Sequence, residues 1–477
     1  MEPSDMDYAS IATYLDREWE SSIVPVLESY IAIPCLSPDF DPDWSKHGFI
    51  DQGMELLIGW CRNQNITPPE LIRLPGRTPL LVLDVPPFEK GGGSARSALL
   101  YGHMDKQPEM TGWREDLGPW KPVREGDRLY GRGGGDDGYS VFAAVSAIAA
   151  LRRHEIPHGR CLVIIEASEE SGSPDLPTYI EHLSGRIGDL GLVVCLDSGA
   201  GTYDRLWTTS SLRGVAGGSL TVEVMREGRH SGAASGIVPS SFRIARDLLS
   251  RIEDPKTGRV LVPEAHVSIP EDRIREARRT AQVLGTGIVR DFPLVDGMHP
   301  VSDDLTELVL NQTWRPSLSV TGADGFPPVK IAGNVLRPFT RLKLSLRVPP
   351  GANARVASER MKAMLEKDPP YGALVVFDIE QPGEGWTAPP TEPWLAKSLE
   401  TASSAFFGKP AAVLGEGGSI PFMSMLGERF PKAQFVITGV LGPDSNAHGP
   451  NEFLHVPAAK AVTACVAQVL ADFQAQC

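Results

Sequence analysis

Apolar positions recur at helical spacing over residues 7–32, with charges on the opposite face, and predict a helix there. TPLLVLDVP (78–86) and SALLYGHMD (97–105) are short apolar runs closed by turn or polar residues, as buried strands are. YSVFAAVSAIAALRRHEIPHG (139–159) reads as a long Ala-rich helix that ends in basic residues, then Pro and Gly. GRCLVIIEASEESGS (159–173) and DLGLVVCLDSG (189–199) supply two more buried strands. Strands alternating with helices predict an α/β domain with a mostly parallel sheet.

The pattern changes near residue 209. SLRGVAGGSLTVEVMREGRHSG (211–232) and RLKLSLRVPPG (341–351) alternate apolar with polar, as half-exposed antiparallel strands do. SSFRIARDLLSRI (240–252) and ARVASERMKAMLEK (354–367) carry helical patterns. A Pro/Gly-rich passage near 382–393 precedes further helix, two apolar runs and a C-terminal helix. The expected organisation is a catalytic domain formed by 1–208 and 386–477, with an α+β lid inserted over 209–385. The Gly-rich EKGGGSARS (89–97) reads as a flexible loop.

The 477-residue length fits two or three domains. A net charge of −14 argues against a nucleic-acid partner, which needs a basic face. The acidic N-terminus lacks the features of a signal peptide. No apolar run is expected to approach the roughly 18 residues that cross a bilayer. Six scattered cysteines form no C-x-x-C pair. The expectation is a soluble cytoplasmic protein without a membrane partner.

Ligand-type residues follow the apolar runs: His103, Asp136 in GRGGGDDG, Glu169 and Glu170 in EASEESGS, Asp197 in CLDSG, and His448 in SNAHGPNE. Open α/β sheets place their sites at the carboxyl ends of parallel strands. Two imidazoles with several carboxylates suit a borderline divalent ion, zinc before others. Each element alone is weak, since a single H-x-D is more often structural and paired Glu is usually a solvated charge pair. GRGGGDDG fits neither phosphate-binding glycine motif, and its two aspartates would repel phosphate. The joint pattern favours metal.

GHMD, YGRGGGDDG, EASEESGS, CLDSG, RHSG, EGGSIP and AHGPNE, in this order, resemble the zinc-dependent exopeptidases related to carnosinase, carboxypeptidase G and aminoacylase, most closely the carnosinase-like dipeptidases. The resemblance implies that His103 and Asp197 hold one zinc and Glu170 and His448 the other, with Asp136 bridging. Manganese or cobalt could replace zinc. It further implies Glu169 as general base and Asp105 as the partner that orients His103. His230 would act from the neighbouring subunit of a homodimer formed through the lid. Arg347, Asn311 and Ser419 match the family's substrate contacts. The family usually follows its Asp pair with Lys-Gly, whereas this chain has Gly138 and Tyr139.

The implied activity is amide hydrolysis of a small peptide, as a dipeptidase or carboxypeptidase. An N-acyl-amino-acid deacylase or N-carbamoyl amidase would use the same site. A non-catalytic relative would be expected to have lost ligands or base, and all are present. A phosphate-directed dinuclear site would want basic residues, and the motif stretches are acidic or Gly-rich.

Overall fold

The computed structural model describes residues 6–88, 96–290, 292–418 and 420–476. Most of the Gly-rich loop at 89–97, and Ser419, therefore lie outside the described residues. The main sheet has six strands in the order Glu70–Ile72, Leu80–Val85, Cys161–Glu166, Ser97–His103, Leu190–Cys195 and Gln434–Ile437. The last four run parallel, and the first two are antiparallel additions at one edge. This is the largely parallel α/β sheet expected.

Strand alternation distributes the sheet's side chains to two cores. Leu100, Val163 and Val194 face a layer that includes the helices Ser140–Arg153 and Val456–Gln474. Leu99, Ile164 and Val193 face the other, with Tyr179, Ile180 and Leu426. Burial on both faces explains why these strands read as continuous apolar runs. The helix at the N-terminus spans Tyr8–Ile31 and is interrupted by one π turn, Trp19–Ile23.

Val456–Gln474 is long and apolar enough to cross a membrane, contrary to the expectation from the sequence that no apolar run approaches that length. In the fold, 78% of that segment is buried, and it packs on Pro393–Phe406 and Ser140–Arg153. Its hydropathy is accounted for by the core it fills.

The alternating segments form a separate antiparallel sheet ordered Ser317–Asp324, Phe339–Val348, Gly214–Glu223, Leu374–Ile379. Leu342, Leu344 and Leu346 turn inward onto Ile244, Leu248, Met361 and Leu365 from the two predicted helices. Trp207–Leu212 does not join this sheet. It pairs in parallel with Ala412–Glu416 and antiparallel with Trp386–Thr387. Helices Glu271–Leu284 and Leu305–Thr313 lean on that small sheet, where Thr280 Oγ1 donates to Val413 O at 2.7 Å.

Candidate metal centre

Three of the candidate positions, His103, the Glu169–Glu170 pair and Asp197, follow or close strands that the apolar pattern placed. His103 closes the strand Ser97–His103, Glu169 and Glu170 form the turn after Cys161–Glu166, and Asp197 follows Leu190–Cys195. Asp136 lies in the turn leading into Ser140–Arg153, and His448 is in the loop before Phe453–His455. Close approach at the strand end requires glycine beside His103: a Cβ on Gly102 would lie 2.8 Å from Asp137 Oδ2.

These side chains converge into two groups that share one carboxylate: His103, Asp136 and Asp197, and Asp136, Glu170 and His448. His103 Nε2 lies 3.3 Å from Asp136 Oδ1 and 3.7 Å from Asp197 Oδ2. His448 Nε2 lies 3.0 Å from Asp136 Oδ2 and 3.3 Å from Glu170 Oε2. The two oxygens of Asp136 thus face different imidazoles.

The fit to a cation can be judged from the atoms themselves. His103 Nδ1 is 3.1 Å from the main-chain oxygen of Asp105, which only accepts, so Nδ1 carries the hydrogen. That leaves a lone pair on Nε2, a buried atom with no hydrogen-bond partner among the described residues. A buried unpaired nitrogen is costly unless something binds it. Electrostatics point the same way. Burial disfavours charge on His103, but Asp197, Asp105 and Asp136 outweigh it and hold its pKa well above the ordinary value. Burial and Asp136 push Glu170 up to about 8, and burial and Asp136 push Asp197 to about 7. Burial and Asp197 likewise raise Glu169 well above a normal carboxyl. Crowded, desolvated carboxylates around an unpaired imidazole nitrogen are a site short of positive charge, and divalent cations fit it.

The support differs in part from expectation. The Asp105 carboxylate is 3.6 Å from His103 Nδ1, and the main-chain oxygen makes the closer contact. The carboxylate instead accepts the backbone N–H groups of Glu169 at 3.1 Å and Glu170 at 3.0 Å. Asp105 therefore orients three site residues rather than one. Gln107 Nε2 donates to Glu170 Oε2 at 2.6 Å.

Other supports were not singled out from the sequence. Arg132 and Glu452 form a fully buried pair at 2.5 Å. Arg132 Nη2 donates to His448 O at 3.1 Å, and Gly133 N donates to Glu452 Oε1 at 2.8 Å. One ion pair so braces both the His448 loop and the Asp136 turn. Both residues lie inside quoted motifs, which was the available signal. Glu166, pushed to about 7 by burial and Asp105, accepts from Tyr101 at 2.7 Å and Ser173 at 2.8 Å. The Gly138–Tyr139 departure has a steric reason. A Cβ at 138 would clash with the Tyr30 ring and lie 2.6 Å from Gly133 O, while the Tyr139 hydroxyl donates to Leu196 O.

The expected substrate contacts are less completely assembled. His230 is exposed on a two-stranded ribbon with Val335–Leu336, and among the described residues its ring makes no hydrogen bond to the cluster. Asn311 Oδ1 is occupied by Arg315 Nη1 at 2.7 Å. Arg347 is half-buried with no carboxylate partner among the described residues, and burial lowers its pKa. Arg213, which was not foreseen, stands near it. Burial and Arg347 push its pKa to about 10, and it donates to Ser317 Oγ at 2.9 Å and Gly417 O at 3.2 Å.

The sequence profile of Peptidase family M20/M25/M40 matches residues 99–472. The chain is 26% identical over 381 residues to a cysteinylglycine-S-conjugate dipeptidase of Corynebacterium striatum, covering 77% of this chain and 80% of that one. It is 26% identical over 399 residues to the beta-Ala-His dipeptidase of Homo sapiens, covering 78% and 74%. Its fold superimposes on the di-peptidase Dug1p from Saccharomyces cerevisiae with a TM-score of 0.77 at 19% identity, over 98% of this chain and 99% of the other.

Proposed function

This chain belongs to Peptidase family M20/M25/M40, and from that premise we propose that it is a dinuclear-metal dipeptidase. The observation that carries the reading is Asp136, whose two oxygens each face one histidine of a different ligand group. In this reading His103 and Asp197 would hold one ion, Glu170 and His448 the other, and Asp136 would be shared between them. The mixed imidazole and carboxylate set favours zinc, with manganese or cobalt as the outcomes to distinguish. The relatives named above act on dipeptides, which supports that substrate class.

Two cations held by these residues would supply Lewis-acid polarisation of the carbonyl and lower the pKa of the attacking water. Glu169 takes the proton of the attacking water on its carboxylate and returns it to the leaving amine nitrogen. Asp105 fixes the Glu169–Glu170 backbone, so base and ligand keep a constant separation. Arg347 pairs with the substrate's terminal carboxylate in a fork geometry. Asn311 and Ser419 contribute secondary contacts.

We propose residues 209–385 as the lid and dimerisation domain. Support comes from the exposed edge strand Ser317–Asp324, with Val320 half exposed and Val329 and Ile331 nearby and open to solvent. An isologous dimer through this edge would cover them. It would also let His230, exposed on its ribbon, donate to the developing oxyanion of the partner's substrate. The five cysteines among the described residues are free and buried, which fits a reducing compartment, and a cytoplasmic location is proposed on that basis.

Elemental analysis together with a panel of dipeptides and N-acyl amino acids tests the reading. Two ions per chain and cleavage of free-amine dipeptides are expected. Turnover confined to N-acyl substrates would replace the dipeptidase with a deacylase.

A further inference from the structure

Lys106 is fully buried, and among the described residues it makes no ion pair. Its ammonium donates instead to three main-chain oxygens, those of Tyr30 at 2.8 Å, Ile31 at 3.3 Å and Ile33 at 2.8 Å. Carbonyl oxygens only accept, so all three N–H bonds of the charged form are used. Tyr30 and Ile31 end the helix Val24–Ile31, whose last carbonyls lack helical partners and carry the negative end of its dipole. The Tyr30 ring, 4.0 Å from the nitrogen, adds a cation–π contact. Burying a charge without such partners is costly. Here all of its hydrogen bonds go to one short segment.

That segment lies between two of the turns that carry candidate ligands. The helix end seats on the Asp136 turn: a Cβ on Gly138 would clash with the Tyr30 ring, and one on Gly134 would lie 3.1 Å from Ile31 Cδ1. The lysine stem covers the start of the same turn, since a Cβ on Gly133 would lie 2.6 Å from Lys106 Cε. On the other side, Lys106 N donates to Cys35 O and Ser37 N to Lys106 O, both at 3.0 Å. Ser37 Oγ and Ser171 Oγ are 2.6 Å apart, and Asp39 N donates to Ser171 Oγ at 2.9 Å. Ser171 closes the turn Glu169–Ser171, next to Glu170. A continuous path therefore runs from the Asp136 turn through residues 30–39 to Glu170, with Lys106 at its centre.

His103 and Asp197 are held differently. His103 closes a strand paired on both sides, with Cys161–Glu166 and Leu190–Cys195. Asp197 follows Leu190–Cys195, which is also paired on both sides.

We propose that Lys106 is a positioning residue of the metal centre: it fixes the spacing between Asp136 and Glu170, and thereby the affinity for the ion these two share with His448. The proposal rests on the dinuclear reading. Lys106 acts through residues 30–39 and not as a ligand. Metal–ligand distances tolerate only about 0.2 Å, so a small shift of either turn is felt in affinity. An apolar side chain of similar length would cover Gly133 but leave the three carbonyls without their donor.

The test titrates Co²⁺ into chelated protein by calorimetry, for the wild type, Lys106→Met, Ser171→Ala and His448→Ala. The wild type should take up two ions per chain, and the ion lost in His448→Ala identifies the second group. Lys106→Met should weaken that same ion by about 10–100-fold, the typical cost of removing an outer support, and the other ion much less. Ser171→Ala cuts the far end of the path without touching the buried lysine. It should weaken the same ion while its chelated form keeps the wild-type melting temperature. Excess Co²⁺ should restore kcat in Lys106→Met, because occupancy is lost and the chemistry is not. Equal weakening of both ions, activity that excess metal does not restore, or unchanged affinity in Ser171→Ala would overturn the positioning role and leave the dinuclear reading standing. If Lys106→Met does not fold, the affinity of Ser171→Ala decides. One ion or none in the wild type would overturn both.

Discussion

Glu170 donates its backbone N–H to the Asp105 carboxylate at 3.0 Å, and Glu169 does the same at 3.1 Å to the other oxygen. One buried side chain thus sets the position of a candidate ligand and of the candidate base, while its main-chain oxygen orients His103. Outer supports of this kind typically cost 10–100-fold in metal affinity or activity when removed. Asp105→Ala is expected to lose about that much in both. Asp105→Asn, which keeps one acceptor, should lose less. Metal titration alongside kcat/KM checks the order of the two variants.

Glu169→Gln removes the proton acceptor but preserves shape. It should lower kcat by about 10²–10⁴-fold, the range of general acid–base contributions, while metal content stays at the wild-type level. Loss of metal in parallel with activity would instead make Glu169 a ligand.

Arg347 has no acidic partner among the described residues, and in the proposed reading its charge meets a substrate carboxylate. Arg347→Ala should raise KM strongly for free dipeptides and much less for the same dipeptides as C-terminal amides. Equal effects on both would remove the carboxylate contact.

Arg132 and Glu452 are fully buried and brace the two loops that carry the candidate ligands Asp136 and His448. Breaking a buried pair by removing one partner costs about 3–5 kcal/mol. Arg132→Met is therefore expected to lower the melting temperature markedly. The double variant Arg132→Met/Glu452→Gln should recover part of that loss, because it leaves no uncompensated charge. Calorimetry on the metal-loaded proteins reads both.

Chelation should make stability fall as pH rises. Glu170 at about 8 and Asp197 at about 7 bind protons in the fold that the unfolded chain releases near pH 4–5. Between those limits the folded state holds more protons, so unfolding becomes easier with increasing pH. His103, raised well above its ordinary value, adds in the same direction. Melting temperature measured from pH 5 to pH 8 should decline in chelated protein. Metal reloading should flatten or reverse that slope, since bound cations replace the protons.

Much of this was written in the local pattern. Runs such as SALLYGH and CLVIIE are apolar at every position because the strands are buried on both faces, and RLKLSLRV alternates because its sheet is buried on one. These are one-dimensional signals of burial, and they placed the candidate residues His103, Glu169, Glu170 and Asp197 at strand ends. The chemistry of the candidate ligands was equally legible, since residue type and order along the chain carry it.

What remained hidden depended on contacts between segments far apart in the chain. The Arg132–Glu452 pair spans 320 residues, and Arg213 reaches Gly417 across 204. Burial of Val456–Gln474 is likewise visible only once its neighbours are in place. Asp105 was expected to hold a ring with its carboxylate, but the turn at 169–170 folds back to claim that group. The sequence by itself determined which residues could bind metal and on which kinds of element they would stand. Only the tertiary structure decided that Asp136 would offer one oxygen to each histidine, and that Lys106 would bond the carbonyls of Tyr30 and Ile33. Those relationships are set by packing between distant segments, which no local periodicity encodes.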